Sequence, residues 1–322
     1  MAAPSTTIEW LLDSDPSIRW QVLRDLLDAP ESAWWTERRR VEAEGWGARF
    51  LSCEDDDGQW AGGAFLPRGF DAREWDEVGQ PWTATTHVLG QLRELGLDPS
   101  SASAKRAVAL IGANSRWDEG DQPFWQGEVE ECLNGRTVAD GAYFGVDVSP
   151  IVERLVGERL EDGGWNCERA NGSVRSSFAT TINVLEGLLE HERATGGTAG
   201  SREARRTGEE FLLERRLFRR LRTGAPADEH FLQLCHPNRW HYDVLRALDY
   251  FWSSRALADD GRPDPRLAEA VAHVASKRQP DGTWLLDWTP AGRVWFEVDD
   301  GVGRPSRWLT LRALRVLRWW DS

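Results

Sequence analysis

The strongest constraint on the fold is a four-residue turn used three times: Asp57-Gly58-Gln59-Trp60, Asp162-Gly163-Gly164-Trp165 and Asp281-Gly282-Thr283-Trp284. Each turn leads through a loop into a helix-patterned segment with a polar or aromatic head and an apolar body. These segments are PWTATTHVLGQLREL from Pro81, VRSSFATTINVLEGLLEHE from Val174 and PSRWLTLRALRVLRWW from Pro305. Glycine tolerates the backbone that a sharp reversal needs, and aspartate starts turns by bonding its own backbone. Tryptophan offers a large apolar area with one donor, suited to plugging the space between two layers. Such a unit cannot bury its apolar face alone, so its repetition implies stacking.

Three more segments carry the same helix without the turn: PSIRWQVLRDLLD from Pro16, GEVEECLNGRTVADGAYFG from Gly127 and PNRWHYDVLRALDYF from Pro237. The six helices are expected near residues 17, 81, 128, 175, 239 and 306. Between them lie helices that are charged on one face and apolar on the other, among them SPIVERLVGERL and DPRLAEAVAHVASKRQ, as outer helices with one side in water should be. No segment alternates with a strand's period of two. The fold expected is all-α: an α/α toroid of about six inner and five to six outer helices, closing as a single domain over residues 1–322. An open solenoid is the alternative, although it keeps a stricter period and distinct capping repeats.

Charge narrows the partners. With 39 basic against 53 acidic residues the net charge is −14, which argues against nucleic acid or an anionic membrane as the main partner. No apolar run is long enough to span a bilayer and the first residues lack a secretory pattern, so no transmembrane segment and a cytoplasmic location are expected. Cys53, Cys132, Cys167 and Cys235 are far apart in the chain and are expected to be free thiols. Nineteen tryptophans against three tyrosines suit an aromatic-rich core or an aromatic-lined cavity.

The DGQW, DGGW and DGTW turns and the echo among RWQVLRDL, HYDVLRAL and WLTLRAL resemble the terpenoid cyclase and protein prenyltransferase superfamily of α/α toroids. More narrowly, the chain is similar to small actinobacterial squalene cyclase-like proteins. The resemblance implies a central aromatic-lined cavity for an isoprenoid or similar apolar molecule, with no partner protein indicated. It also implies where catalytic parts should be sought. Class II cyclases protonate an alkene with the middle acid of Asp-x-Asp-Asp, and the nearest match is Glu297-Val298-Asp299-Asp300, which makes Asp299 the proton donor. Protein prenyltransferases hold zinc with Asp-x-Cys and a histidine; Glu130-Glu131-Cys132 has that style, but Ala179 stands where a histidine would be natural. Magnesium and zinc are the cofactors the resemblance admits, and no complete metal-ligand set is read.

The remaining candidates follow from their places at helix heads. Arg136, Arg175, Arg239, Arg304 and Arg307 would bind a diphosphate if they converge. Trp20, Trp82, Trp240 and Trp308 would line the cavity, where aromatic faces stabilise cations. Glu128 and Glu131 lie on a helix expected to be central, where polar groups must pair or face a wet cavity. His241 is a candidate acid or base. A non-catalytic toroid that binds a lipid, peptide or protein is one alternative. A carbohydrate-active α/α barrel is the other, with Glu128 or Glu131 and Asp243 as its paired carboxylates.

Overall fold

The computed structural model describes residues 5–257 and 261–322. Among the described residues it contains α-helices, short 3-10 turns and isolated β-bridges, and no strand. The helices are α1 (Ser5–Leu12), α2 (Pro16–Asp25), α3 (Glu31–Arg40), α4 (Gly45–Leu51), α5 (Arg73–Val78), α6 (Thr85–Leu95), α7 (Ala102–Asn114), α8 (Glu131–Tyr143), α9 (Ser149–Gly157), α10 (Phe178–Thr195), α11 (Ala199–Glu214), α12 (Val244–Ser254), α13 (Ala268–Ser276) and α14 (Arg307–Trp320). The chain is all-α.

Backbone contacts group the chain, expected from its sequence to be a single domain, into two units. The first comprises Met1–Trp46, Leu212–Pro290 and Glu297–Ser322, the second Gly47–Phe211 and Ala291–Phe296. In the first, α14 packs against both α12 and α2, with α13 laid over α12 and α14 and α3 laid over α2. In the second, α8 packs between α6 and α10, with α9 against α8. Each unit thus has the alternation of inner and outer helices expected of an α/α toroid.

The repeated turn has one geometry at all three places. Gly58, Gly163 and Gly282 have φ of 86°, 100° and 88°, the left-handed region that glycine enters without a Cβ penalty. Trp60, Trp165 and Trp284 are wholly buried. Each indole N–H donates, at 2.7 Å, to the carbonyl ten residues earlier on the preceding outer segment: Phe50, Leu155 and Val274. Each backbone N–H of the same residues donates to a threonine hydroxyl on the next inner helix, Thr85 at 3.2 Å, Thr181 at 3.1 Å and Thr310 at 3.0 Å. One residue therefore bonds an outer helix through its side chain and an inner helix through its backbone.

The inner helices start at Pro16, Thr85, Glu131, Phe178, Val244 and Arg307. Four begin three to five residues later than their sequence pattern suggests, because Ser177 and Asp243 take the N-cap positions of α10 and α12 and the segments before α6 and α8 are extended at the cap. Several polar heads assigned to first helical turns are therefore loop residues. Glycines set the closest approach: a Cβ on Gly135 of α8 would lie 2.5 Å from the Asn183 carbonyl oxygen, and one on Gly187 of α10 would lie 2.3 Å from that of Gly135.

Candidate functional site

In the first unit the acid Asp299 lies just before α14. Its carboxylate accepts the hydroxyl of Ser306, the α14 N-cap, and the backbone N–H of Asp300 at 2.9 Å. Burial pushes it up to about 6, against the lowering by Ser306. Beside it begins an aromatic stack. Trp308 is fully buried and donates its indole N–H to the Val298 carbonyl at 3.2 Å. His236 stacks on Trp308 at 4.9 Å, and Trp46 stacks at 6.1 Å. Burial drives His236 well below the usual histidine range, so the ring in the stack is neutral.

The other candidates of this unit have structural duties. Asp243 precedes α12 as its N-cap, accepting the N–H groups of Arg246 at 2.8 Å and Cys235 at 3.0 Å and the Asn238 amide at 2.6 Å. Burial raises it to about 6, while the three donors hold it in place as the α12 cap. His241 and Trp240 are in the loop before α12, not on the helix. The two rings stack at 3.8 Å, with Trp288 edge-on to His241 at 5.1 Å. Burial lowers His241 to about 4, so it stays neutral at physiological pH. Arg239 is a buried loop residue with φ of 54°. Arg307 pairs with Asp300 at 2.9 Å and lies 4.5 Å over the Trp10 ring. Trp20, on α2, is buried and carries Arg24 4.5 Å over its face.

In the second unit the polar residues cluster around the start of α8. Glu131 is buried and accepts Arg169 Nε at 2.7 Å, while Arg169 also reaches Glu158 at 2.8 Å. Glu128 precedes the helix; its carboxylate accepts the Glu130 N–H at 2.6 Å, and burial raises it. Asn134 brackets the Glu128 backbone by accepting its N–H and donating to its carbonyl. Glu131, Arg169 and Glu158 thus form a Glu–Arg–Glu network at the head of α8. Arg136 is buried beside Asp140, which also accepts Arg93 Nε at 2.7 Å. Arg175 is an exposed loop residue. Trp82 precedes α6, is buried, and donates to the Ala291 carbonyl at 2.9 Å.

Glu130, Cys132 and Cys167 bring one carboxylate oxygen and two sulfurs within 4.8 Å of one another. The Cys132 thiol donates to Glu130 at 3.4 Å. No other group of the kind that could hold a metal ion is found among the described residues. Its third member is a cysteine from the loop before α10, not the histidine that the prenyltransferase resemblance would supply. It is one protein donor short of a closed structural zinc site. Sequence reasoning missed Cys167 as a partner. The available signal was that Cys167 follows the plug Trp165 by two residues and so falls at an inner-helix head, as Cys132 does.

No family model matches the chain, and no curated protein matches it. Among solved structures it is similar to type II terpene cyclase MstE from Scytonema. A variant of that enzyme in complex with its substrate, geranylgeranyl dihydroxybenzoate, gives a TM-score of 0.46 at 13% identity, covering 95% of this chain and 86% of that one. The unliganded enzyme gives 0.38 at 14% identity, covering 89% and 97%. No helix among the described residues is long and apolar enough to cross a membrane.

Proposed function

We propose that the chain binds an isoprenoid or similar apolar polyene and that Asp299 donates the proton that starts its cyclisation. The observation that carries this reading is the half-buried Asp299 carboxyl next to the Trp308–His236–Trp46 stack. An acid that protonates an alkene must keep its proton near neutral pH; a group titrating at about 6 is protonated in roughly one molecule in ten at pH 7. The carbocation formed would be held by aromatic faces, whose quadrupoles attract cations, while the neutral His236 adds no competing charge. A binder without turnover is the second reading, favoured by the Ser306 hydroxyl, which stabilises the ionised form of Asp299.

The test is incubation of the purified protein with squalene-type and geranylgeranyl-bearing polyenes, product analysis by gas chromatography–mass spectrometry, and thermal shift on the same samples. Cyclised product that disappears in Asp299→Asn but persists in Asp300→Asn supports the reading. A saturable shift without product moves the assignment to a binder, and no shift with any polyene sinks both.

A further inference from the structure

Beyond that reading, we infer that Cys132 and Cys167 form a reversible disulfide, making the entrance of α8 a site of thiol oxidation. Thirty-five residues separate the two in sequence, yet their sulfurs lie within 4.8 Å of each other and of the Glu130 carboxylate. Both are half-buried, so a small oxidant reaches them, whereas Cys235 is fully buried. The segments that carry them are already held together. Arg169, in the same 3-10 turn as Cys167, bonds Glu131, the neighbour of Cys132.

The two thiols have different surroundings. Cys167 Sγ accepts the hydroxyl of Thr180 at 3.4 Å and has no carboxylate taking its proton among the bonds at that sulfur. Cys132 instead donates its S–H to Glu130. Cys167 is therefore the thiol that a peroxide oxidises, and Cys132 the thiol that resolves the product. In the first step Cys167 sulfur attacks hydrogen peroxide. The O–O bond breaks, one oxygen stays as the sulfenic acid, and the other leaves as water with the thiol proton. In the second step Cys132 passes its proton to Glu130 and attacks the Cys167 sulfur. The S–O bond breaks, and hydroxide leaves as water after taking that proton. Two thiols and one peroxide yield one disulfide and two waters. An external dithiol reverses the change by exchange.

The experiment treats the reduced, full-length protein with stoichiometric hydrogen peroxide, blocks the remaining thiols by alkylation under denaturing conditions, and maps peptides with and without reduction. The expected result is loss of two of the four thiols and one cross-link joining the peptides of Cys132 and Cys167. Cys132→Ser should leave a Cys167 sulfenic acid that dimedone traps, and Cys167→Ser should abolish both trap and cross-link. Glu130→Gln should slow cross-linking several-fold with unchanged trapping in the Cys132→Ser background. The proposal is overturned if peroxide produces no cross-link, or one that involves Cys53. It is equally overturned if the isolated protein holds one equivalent of zinc that protects both thiols until a chelator removes it. The wild-type cross-link is itself the readout, so a poorly folding variant does not decide the matter.

Discussion

Replacing Trp165 by Phe tests the double role of the turn tryptophan. The phenyl ring keeps much of the apolar contact but has no N–H, so the Leu155 carbonyl, bonded at 2.7 Å to a wholly buried indole, loses its partner. A buried acceptor left unsatisfied costs about 1–3 kcal/mol. The smaller ring also leaves roughly 40 Å³ unfilled, which adds about 1 kcal/mol at ~24 cal/mol per Å³. The expected loss is roughly 2–4 kcal/mol, read as a fall of about 1 M in the urea midpoint with an unchanged slope. Thr181→Val probes the other bond, orphaning the Trp165 backbone N–H that the hydroxyl accepts at 3.1 Å; it should cost about 1–3 kcal/mol. Because Trp60 and Trp284 make equivalent bonds, their Phe variants should lose stability to within a factor of two of Trp165→Phe. A change below about 0.5 kcal/mol at Trp165, or three unrelated values, would refute the account of the turn as a bonded plug.

Gly135→Ala should destabilise by about 1–3 kcal/mol or more, since its Cβ would meet the α10 backbone; Gly157→Ala, where a Cβ meets nothing within 4 Å, is the neutral control in the same urea series. Asp299 keeps its proton up to about pH 6 when folded but releases it near 3.9 when unfolded. Its contribution to stability therefore falls as pH rises from about 4 to 6, and Asp299→Asn should flatten that part of the profile. His241 has the opposite sign. Its folded ring stays neutral down to about 4, while an unfolded histidine charges near 6.5. Stability is lost as pH falls through that interval, and His241→Gln should remove this loss in thermal melts across the window. If Asp299 is the proton donor, turnover should rise as pH is lowered from 8 towards about 6, a trend that initial-rate measurements would check.

Sequence alone determined the features set within a few residues. Gly163 adopts a φ of 100°, which its missing Cβ permits wherever it stands, and the helical period marks which face is buried. The all-α class, the turn and its plug were therefore legible. The duties of charged and sulfur-bearing side chains were not. The partner of Glu131 is Arg169, thirty-eight residues on. Asp243 accepts the N–H of Cys235, whose loop folds back onto it. Cys132 and Cys167 were separate thiols until the loop before α10 met the head of α8. Local conformation follows from short-range sterics and capping, whereas a side chain's partner depends on the register in which whole helices pack, and that register is written only in the tertiary structure.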